Sequence, residues 1–153
     1  MSSGGYWIKD ANATLYAQWT YNPVTYTLNF GARSGQSSYG TVSAKNTSTE
    51  ETLTSNTSYE SGTGVTVTAV PEDDYKLTGW YNDASGGSLI TGAGTSNPYS
   101  FTLSAATNVY AAFEQKQTTI TLNANGGSGG TTSKTINHGA SMSGLTNPGR
   151  TGY

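Results

Sequence analysis

Apolar and small polar residues alternate with a period of two along most of the chain. In residues 65–70 (VTVTAV) and 99–104 (YSFTLS), threonine or serine alternates with valine, leucine or an aromatic residue. This pattern places small polar residues on one face of a strand and larger apolar side chains on the other. No window carries an amphipathic helical pattern of useful length, so the predicted fold class is all-β or β-rich. The predicted strands are residues 14–20, 24–30, 65–70, 75–81, 99–104, 108–114 and 118–124.

Residues 44–58 (AKNTSTEETLTSNTS) interrupt this alternation. Their serine and threonine side chains compete for backbone hydrogen-bonding groups, which favours a loop or a hairpin over a helix. Of these two we predict a loop. Glycine-rich turns are predicted at residues 31–40, 85–87 and 125–130, because glycine adopts positive φ without strain.

The core of such a chain must be thin and built on aromatic side chains. Thr (26), Gly (20), Ser (19) and Asn (12) make up half of the 153 residues, while 11 Tyr and 3 Trp supply most of the large apolar faces. A buried tryptophan removes about 150 to 250 Å² from water. We therefore expect Trp80 to anchor the core, with stacking against a sugar as the alternative. Strict alternation through residues 75–81 places Trp80 on the face opposite Leu77 and Tyr81.

The charge content excludes several classes of partner. Charged residues make up 10% of the chain and the formal net charge is −2, with no basic run, so nothing marks a surface for nucleic acid or an anionic membrane. No apolar stretch approaches the length of about 18 residues that spans a bilayer. The chain has no cysteine, which excludes disulfides, thiol catalysis and cysteine-ligated zinc.

The sequence also repeats itself, which indicates more than one module. At an offset of 94 residues, Tyr16-Ala17 aligns with Tyr110-Ala111, Trp19 aligns with Phe113, and residues 27–29 align with 121–123, both TLN. A second match at an offset of 82 lays residues 3–5 on 85–87. We therefore predict one complete module at residues 21–115, preceded by the C-terminal part of a module at 1–20 and followed by the N-terminal part of another at 116–153.

The motifs of these segments resemble the Listeria/Bacteroides repeat, also called the internalin B-repeat. Residues 14–20 (TLYAQWT) are similar to its closing Leu-Tyr-Ala-x-Trp element, and residues 119–127 (TITLNANGG) and 148–153 (PGRTGY) to its opening elements. The central residues 40–43 (GTVS), 59–81 (YESGTGVTVTAVPEDDYKLTGWY) and 108–114 (NVYAAFE) resemble a divergent form of the repeat. Two features depart from the pattern: an insertion around residues 44–59, and Phe113 at the position of Trp19.

The resemblance implies small β modules, β-grasp-like or a small β-sandwich, strung in tandem along secreted or surface-anchored bacterial proteins. Such modules serve as stalk, spacer or adhesive segments, and the family offers no catalytic residues, metal or cofactor to carry over. The implied partners are neighbouring repeats of the same or an identical chain. The two partial modules have complementary contents, so head-to-tail association into a filament is one expectation.

No catalytic or metal site can be assembled from the residues themselves. Glu72-Asp73-Asp74 follows Pro71 between two predicted strands and is interpreted as a polar turn, with a weak calcium site as the alternative. His138 is the only histidine, so neither a catalytic triad nor a histidine-rich metal site is available. The glycines of residues 125–130 lack the following helix and lysine that a phosphate-binding loop needs. The sequence thus predicts a protein that is not an enzyme.

Two further possibilities concern the surface. Tyr6, Trp7 and Tyr39 are predicted to be surface aromatics, which is consistent with the alternative function of binding cell-wall or host glycans or proteins. For Tyr6 and Trp7, contacts with a neighbouring module are an equally good explanation. Lys45 or Lys76 with Asn29 are candidates for a self-formed isopeptide cross-link, a chemistry that some bacterial stalk domains use.

Overall fold

The structure is a computed structural model that describes Thr14 and residues 16–152. Within these residues the chain forms strands and turns and no helix, which confirms the all-β prediction. The strands are β1 (Thr25–Ala32), β2 (Gly40–Asn46), β3 (Thr52–Leu53), β4 (Thr57–Glu60), β5 (Gly64–Pro71), β6 (Tyr75–Tyr81), β7 (Tyr99–Thr102), β8 (Thr107–Gln115), β9 (Gln117–Thr121) and β10 (Ser133–Asn137).

Eight of these strands form two four-stranded sheets. The first sheet has the order β4-β1-β8-β6, and the second has the order β3-β2-β5-β7. All neighbours are antiparallel except β1 and β8, which run parallel in a register that places Leu28 beside Thr107 and Ala32 beside Ala111. The remaining two strands, β9 and β10, form a separate antiparallel pair, which we call the C-terminal hairpin.

One core lies between the inner faces of the two four-stranded sheets. On β5 the inner face carries Val65, Val67 and Ala69, at the spacing of two that the sequence predicts. The first sheet contributes Leu28 from β1 and alternate residues of β8 to the same cluster. Two sheets that share a core in this way form a small β-sandwich, one of the two architectures that the sequence left open.

The two sheets approach each other closely at Gly40, the first residue of β2. A Cβ atom at this position would lie 2.8 Å from the Phe113 ring and 2.8 Å from the carbonyl oxygen of Val70. Carbon atoms in contact prefer separations of about 3.5 to 4.0 Å. Glycine is therefore required at residue 40 because the ring of Phe113 packs directly against its backbone.

Trp80 is fully buried, which confirms its role as the core anchor. Its indole N–H donates to the carbonyl oxygen of Ser96 at 2.8 Å. The predicted face of its neighbour Leu77 is wrong, however. A β-bulge between Leu77 and Gly79 shifts the register by one residue, so that Leu77 lies beside Phe113 and Trp80 beside Ala111. Both side chains consequently face the core.

Most predicted strands overlap observed ones, and the differences fall in four places. Gly40–Asn46 forms β2, which was not among the predicted strands. Residues 44–58 are not a loop, because they contain the end of β2, all of β3 and the start of β4. Ser133–Asn137 forms β10, which the sequence did not predict. Thr14 and residues 16–20 form no strand. No described strand lies beside this last segment, and an isolated strand is not stable without a hydrogen-bonded neighbour.

Replacing Trp80 tests the core directly. Trp80→Ala should lower the free energy of unfolding by about 3 to 5 kcal/mol, because it leaves a large cavity in a thin core. Trp80→Phe should lower the free energy of unfolding by a smaller amount, because it removes the hydrogen bond to Ser96 but keeps an aromatic ring in the core. Urea unfolding followed by far-UV circular dichroism measures both. Trp19→Ala serves as the matched control, because Trp19 is 91% exposed and should leave stability unchanged.

Candidate functional site

The C-terminal hairpin is held against the sandwich at the single residue that links β8 to β9. The backbone N–H of Lys116 donates to the carbonyl oxygen of Asp74 at 2.7 Å, and the N–H of His138 donates to the carbonyl oxygen of Lys116 at 2.9 Å. The Lys116 ammonium group also donates to the carbonyl oxygen of Asp73 at 2.7 Å. Both backbone polar groups of the linking residue are therefore paired. We call this contact between the 72–74 turn, residues 115–117 and residues 137–138 the junction.

Side-chain amides connect the same elements. Gln115 donates through its amide N–H to the carbonyl oxygen of His138 at 3.0 Å and accepts from the Asn137 amide at 3.0 Å. Gln117 donates to the Asn137 amide oxygen at 2.8 Å. Each net hydrogen bond of this kind contributes about 1 kcal/mol. The amides therefore brace the last residue of β8, the first of β9 and the end of β10 against one another.

His138, the only histidine, lies in the junction. Its Nδ1 is 3.6 Å from Asp74 Oδ1, and its Nε2 is 3.2 Å from the hydroxyl of Thr118. Both members of the His138–Asp74 pair are about half exposed, and an exposed ion pair contributes at most about 1 kcal/mol. The position is structural: His138 connects the C-terminal hairpin to the 72–74 turn.

Glu72-Asp73-Asp74 forms the polar turn that the sequence predicts. The N–H of Tyr75 donates to the carbonyl oxygen of Glu72 at 2.9 Å, which closes the turn between β5 and β6. Among the described residues, no group of three or more histidine, aspartate or glutamate side chains is arranged to hold a metal ion. The carbonyl groups of this turn instead accept the Lys116 hydrogen bonds, a role that sequence reasoning missed because it depends on main-chain atoms.

A concave surface lies on the outer face of the first sheet. The Arg33 guanidinium stacks over the Tyr81 ring at 4.1 Å and donates to the carbonyl oxygens of Ser85 at 3.1 Å and Gly86 at 2.9 Å. These groups border an open cleft of about 500 Å³. The Arg33 Nη2 group thus holds the 85–86 turn against this cleft.

The candidate surface aromatics occupy different environments. Tyr6 and Trp7 lie outside the described residues. Tyr39 is not a free surface aromatic, because it packs against the core and stacks face to face on Tyr75 with a ring separation of 4.4 Å. The exposed aromatics are Tyr16 (86%), Trp19 (91%) and Tyr21 (77%). Sequence reasoning had aligned the first two with strand residues and therefore missed their exposure.

Tyr21 has one specific contact. Its hydroxyl donates to the Glu60 carboxylate at 3.0 Å. This hydrogen bond, together with the negative charge of Glu60, raises the pKa of the Tyr21 phenol above its ordinary value. The contact ties the segment that precedes β1 to the end of β4.

The residues considered for a covalent cross-link have other partners. Asn29 donates to the side-chain oxygen of Asn108 at 2.9 Å. Lys45 pairs with Glu50, and Lys76 lies 3.6 Å from Glu114. The glycine-rich residues 125–130 form a turn in which Ser128 bridges to Gly149.

The fold and the junction together define a class of protein: a small β-sandwich module whose chain continues through a hydrogen-bonded link into the next β structure. Residues 26–117 match the family described as the divergent InlB B-repeat domain, and the chain belongs to this family. The family is typical of bacterial surface proteins and is generally non-catalytic. No curated protein and no solved structure matches the chain.

In the part of the chain that the structure describes, no helix is long and apolar enough to cross a membrane.

The loop beside the cleft should respond to acid through Asp83. Backbone N–H groups of Gly86 and Ser85 donate to Asp83 Oδ1 and hold the pKa of that carboxyl below its ordinary value of 3.8. Because the folded pKa is depressed, this stabilisation is present above pH 3.8 and is lost as the pH falls through the folded value.

Amide NMR shifts of Ser85 and Gly86 followed against pH measure this titration. The expected midpoint lies below 3.8, and Asp83→Asn should abolish it. A midpoint at or above the ordinary value would contradict the role of these hydrogen bonds.

Proposed function

We propose that this chain is a non-catalytic repeat segment of a secreted or cell-surface bacterial protein and acts as a spacer or stalk. The observation that carries the proposal is the parallel pairing of β1 with β8. Parallel neighbours start at the same end of a sheet. The chain therefore enters the sandwich at one end, at Thr25, and leaves it at the other, after Gln115.

Because of this path, each module adds its own length to the protein. In the β1–β8 register, Thr25 and Gln115 lie about eleven strand residues apart along the sheet, which corresponds to roughly 35 Å at about 3.3 Å per residue. A module whose chain entered and left at the same end would add little to the length of the protein. In this proposal residues 1–20, 21–115 and 116–153 are consecutive modules or parts of modules along one axis, with neighbouring repeats of the same or an identical chain as partners.

The junction supports the spacer role because it restricts bending where the axis passes from β8 to β9. A flexible linker lets modules rotate freely. Here the single linking residue has both backbone groups hydrogen-bonded, and the amides of Gln115, Gln117 and Asn137 brace its two sides. A stiff connection keeps successive modules in line, so that their lengths add.

Spin labels test whether the junction is stiff. The chain has no cysteine, so Ser43→Cys on the sandwich and Thr135→Cys on the C-terminal hairpin accept labels selectively. We expect a narrow distance distribution by double electron–electron resonance. Asn137→Ala should broaden it, because two of the bracing amide contacts are lost.

Asn108→Ala is the matched control for this experiment. It removes one amide–amide hydrogen bond, to Asn29, far from the junction, and should leave the distribution narrow. A broad distribution in the labelled protein that keeps Asn137 would contradict the spacer proposal.

One observation favours a second candidate function, the binding of a glycan or a host protein. Three exposed aromatic residues, Tyr16, Trp19 and Tyr21, lie within six positions of the chain, and exposed aromatic rings are common in binding surfaces. A glycan array probed with the wild-type chain and with Trp19→Ala tests this function. Binding that depends on Trp19 would support it, and no binding would leave the spacer role.

A further inference from the structure

The cleft that Arg33 borders on the outer face of the first sheet has the size of a small-ligand site. Its volume is about 500 Å³, and pockets for small ligands measure about 300 to 1,000 Å³. Its lining comes from the segment after β1, from β6, from β8 and from residues 84–85. Among the described residues that line it, Arg33 is the only charged one. A ligand in this cleft therefore meets one positive charge and no acidic side chain of the lining.

Arg33 is held in one position at the border of the cleft. Its Nη2 atom donates to the carbonyl oxygens of Ser85 and Gly86, and its guanidinium group lies 4.1 Å from the centre of the Tyr81 ring. Its Nη1 and Nε atoms have no hydrogen-bond partner in the described part of the chain. Since Nη1 carries two N–H groups and Nε carries one, the fixed cation keeps unpaired donors for a ligand. Hydrogen bonds from such a group to a carboxylate are roughly twice as strong as neutral ones.

Uncharged donors lie beside this cation. The side-chain oxygen of Gln36 accepts from the backbone N–H of Phe113 at 2.9 Å, which fixes the amide group. The Gln36 Nε2 group and the Ser34 hydroxyl have no partner among the residues that the structure describes. Both residues line the cleft. They therefore add donors for the oxygen atoms of a ligand that carries several hydroxyl groups.

No described carboxylate neutralises Arg33 directly. Arg33 forms no ion pair with an acidic residue of the described chain. The charge of Asp83 acts on Arg33 from nearby, but Asp83 does not line the cleft. Its Oδ1 atom accepts from the N–H groups of Ser85 and Gly86. Asp83 thus shapes the loop beside the cleft and leaves the Arg33 donors unpaired.

An aromatic ring adjoins the cleft on the same sheet face. Tyr81, which lines the cleft, lies directly beside Tyr110 of β8. Tyr110 is partly exposed, and Gly31, its neighbour on β1, has no side chain that could cover the ring. Aromatic rings present a flat apolar surface, on which the C–H groups of a sugar ring can pack. A few fixed polar groups beside such a ring are typical of small-ligand sites.

We propose that this cleft binds the carboxylate of an acidic sugar, such as a galacturonic acid residue of a polysaccharide. The carboxylate accepts from an unpaired N–H group of Arg33. The amide of Gln36 and the hydroxyl of Ser34 bind hydroxyl groups of the sugar, and a neighbouring sugar packs on Tyr110. This site goes beyond the spacer function and does not depend on it, because all of these groups belong to the sandwich and none of them to the junction.

An NMR titration of the isotope-labelled chain with trigalacturonic acid at low ionic strength tests the proposal. We expect saturable shifts of the Arg33 Nε–H signal and of the Ser34 and Gln36 amides. The neutral sugar galactotriose should cause no such shifts, because it lacks the carboxylate. Triglutamate should cause smaller shifts at the same concentration, since it has carboxylates but no sugar ring for Tyr110. Equal or larger shifts with triglutamate would overturn the assignment of the ligand as a sugar.

A matched pair of variants tests the role of Arg33. Arg33→Gln should weaken binding by at least about tenfold, because it removes charge-assisted hydrogen bonds. The new amide can still donate to the carbonyl oxygens of residues 85–86, and the pH titration of Asp83 shows whether the loop is intact. Lys76→Gln removes the same charge from an exposed residue of the first sheet that does not line the cleft. It should bind as the wild type does.

Gln36→Glu tests the site without removing a structural contact. The new carboxylate still accepts from the Phe113 N–H but repels the ligand, so binding should be abolished. Trp19→Ala should leave binding unchanged, because Trp19 does not line the cleft. The proposal would be overturned by the absence of saturable shifts with trigalacturonic acid, by an equal response to galactotriose, or by a loss in Lys76→Gln or Trp19→Ala as large as that in Arg33→Gln. A broad spin-label distribution across the junction would contradict the spacer function alone.

Discussion

The parallel pairing of β1 with β8 is the constraint on which the rest of the structure depends. β8 is central in its sheet, with β1 on one side and β6 on the other, and its inner residues Val109, Ala111 and Phe113 are buried in the core. β4 and β6 therefore form the edges of the first sheet, and the second sheet covers its apolar face. The same pairing sends the chain out of the sandwich at the end opposite its entry, and the proposed spacer role rests on this path.

Most side-chain hydrogen bonds among the described residues join uncharged groups. Thr66 pairs with Thr47 at 2.9 Å and with Ser100 at 2.8 Å across the second sheet, and Thr119 pairs with Thr135 at 2.8 Å across the C-terminal hairpin. The described ion pairs are exposed and therefore weak. Because threonine and serine hydroxyl groups do not titrate near neutral pH and carry no charge for salt to screen, these hydrogen bonds in the second sheet and the C-terminal hairpin should persist over a wide range of pH and salt concentration.

The sequence predicted the fold class and most strands because a period of two is a local signal. It also predicted that Trp80 is a core anchor. It could not predict the bulge at residue 78, since a register shift between β6 and β8 depends on both strands. The hairpin within residues 44–58 was missed because β3 is only two residues long. The junction was not predicted for a different reason: Lys116 bonds to the main-chain carbonyl groups of Asp73 and Asp74, and main-chain acceptors leave little trace in residue type.

The path of the chain through the sandwich can be measured by one distance. Spin labels at Val24→Cys, just before β1, and Glu114→Cys, near the end of β8, lie at exposed positions in a chain without other cysteines. The parallel β1–β8 pairing predicts a separation of roughly 35 Å between them. A separation of about 10 Å or less, as expected for strands that leave and return at the same end, would contradict the account.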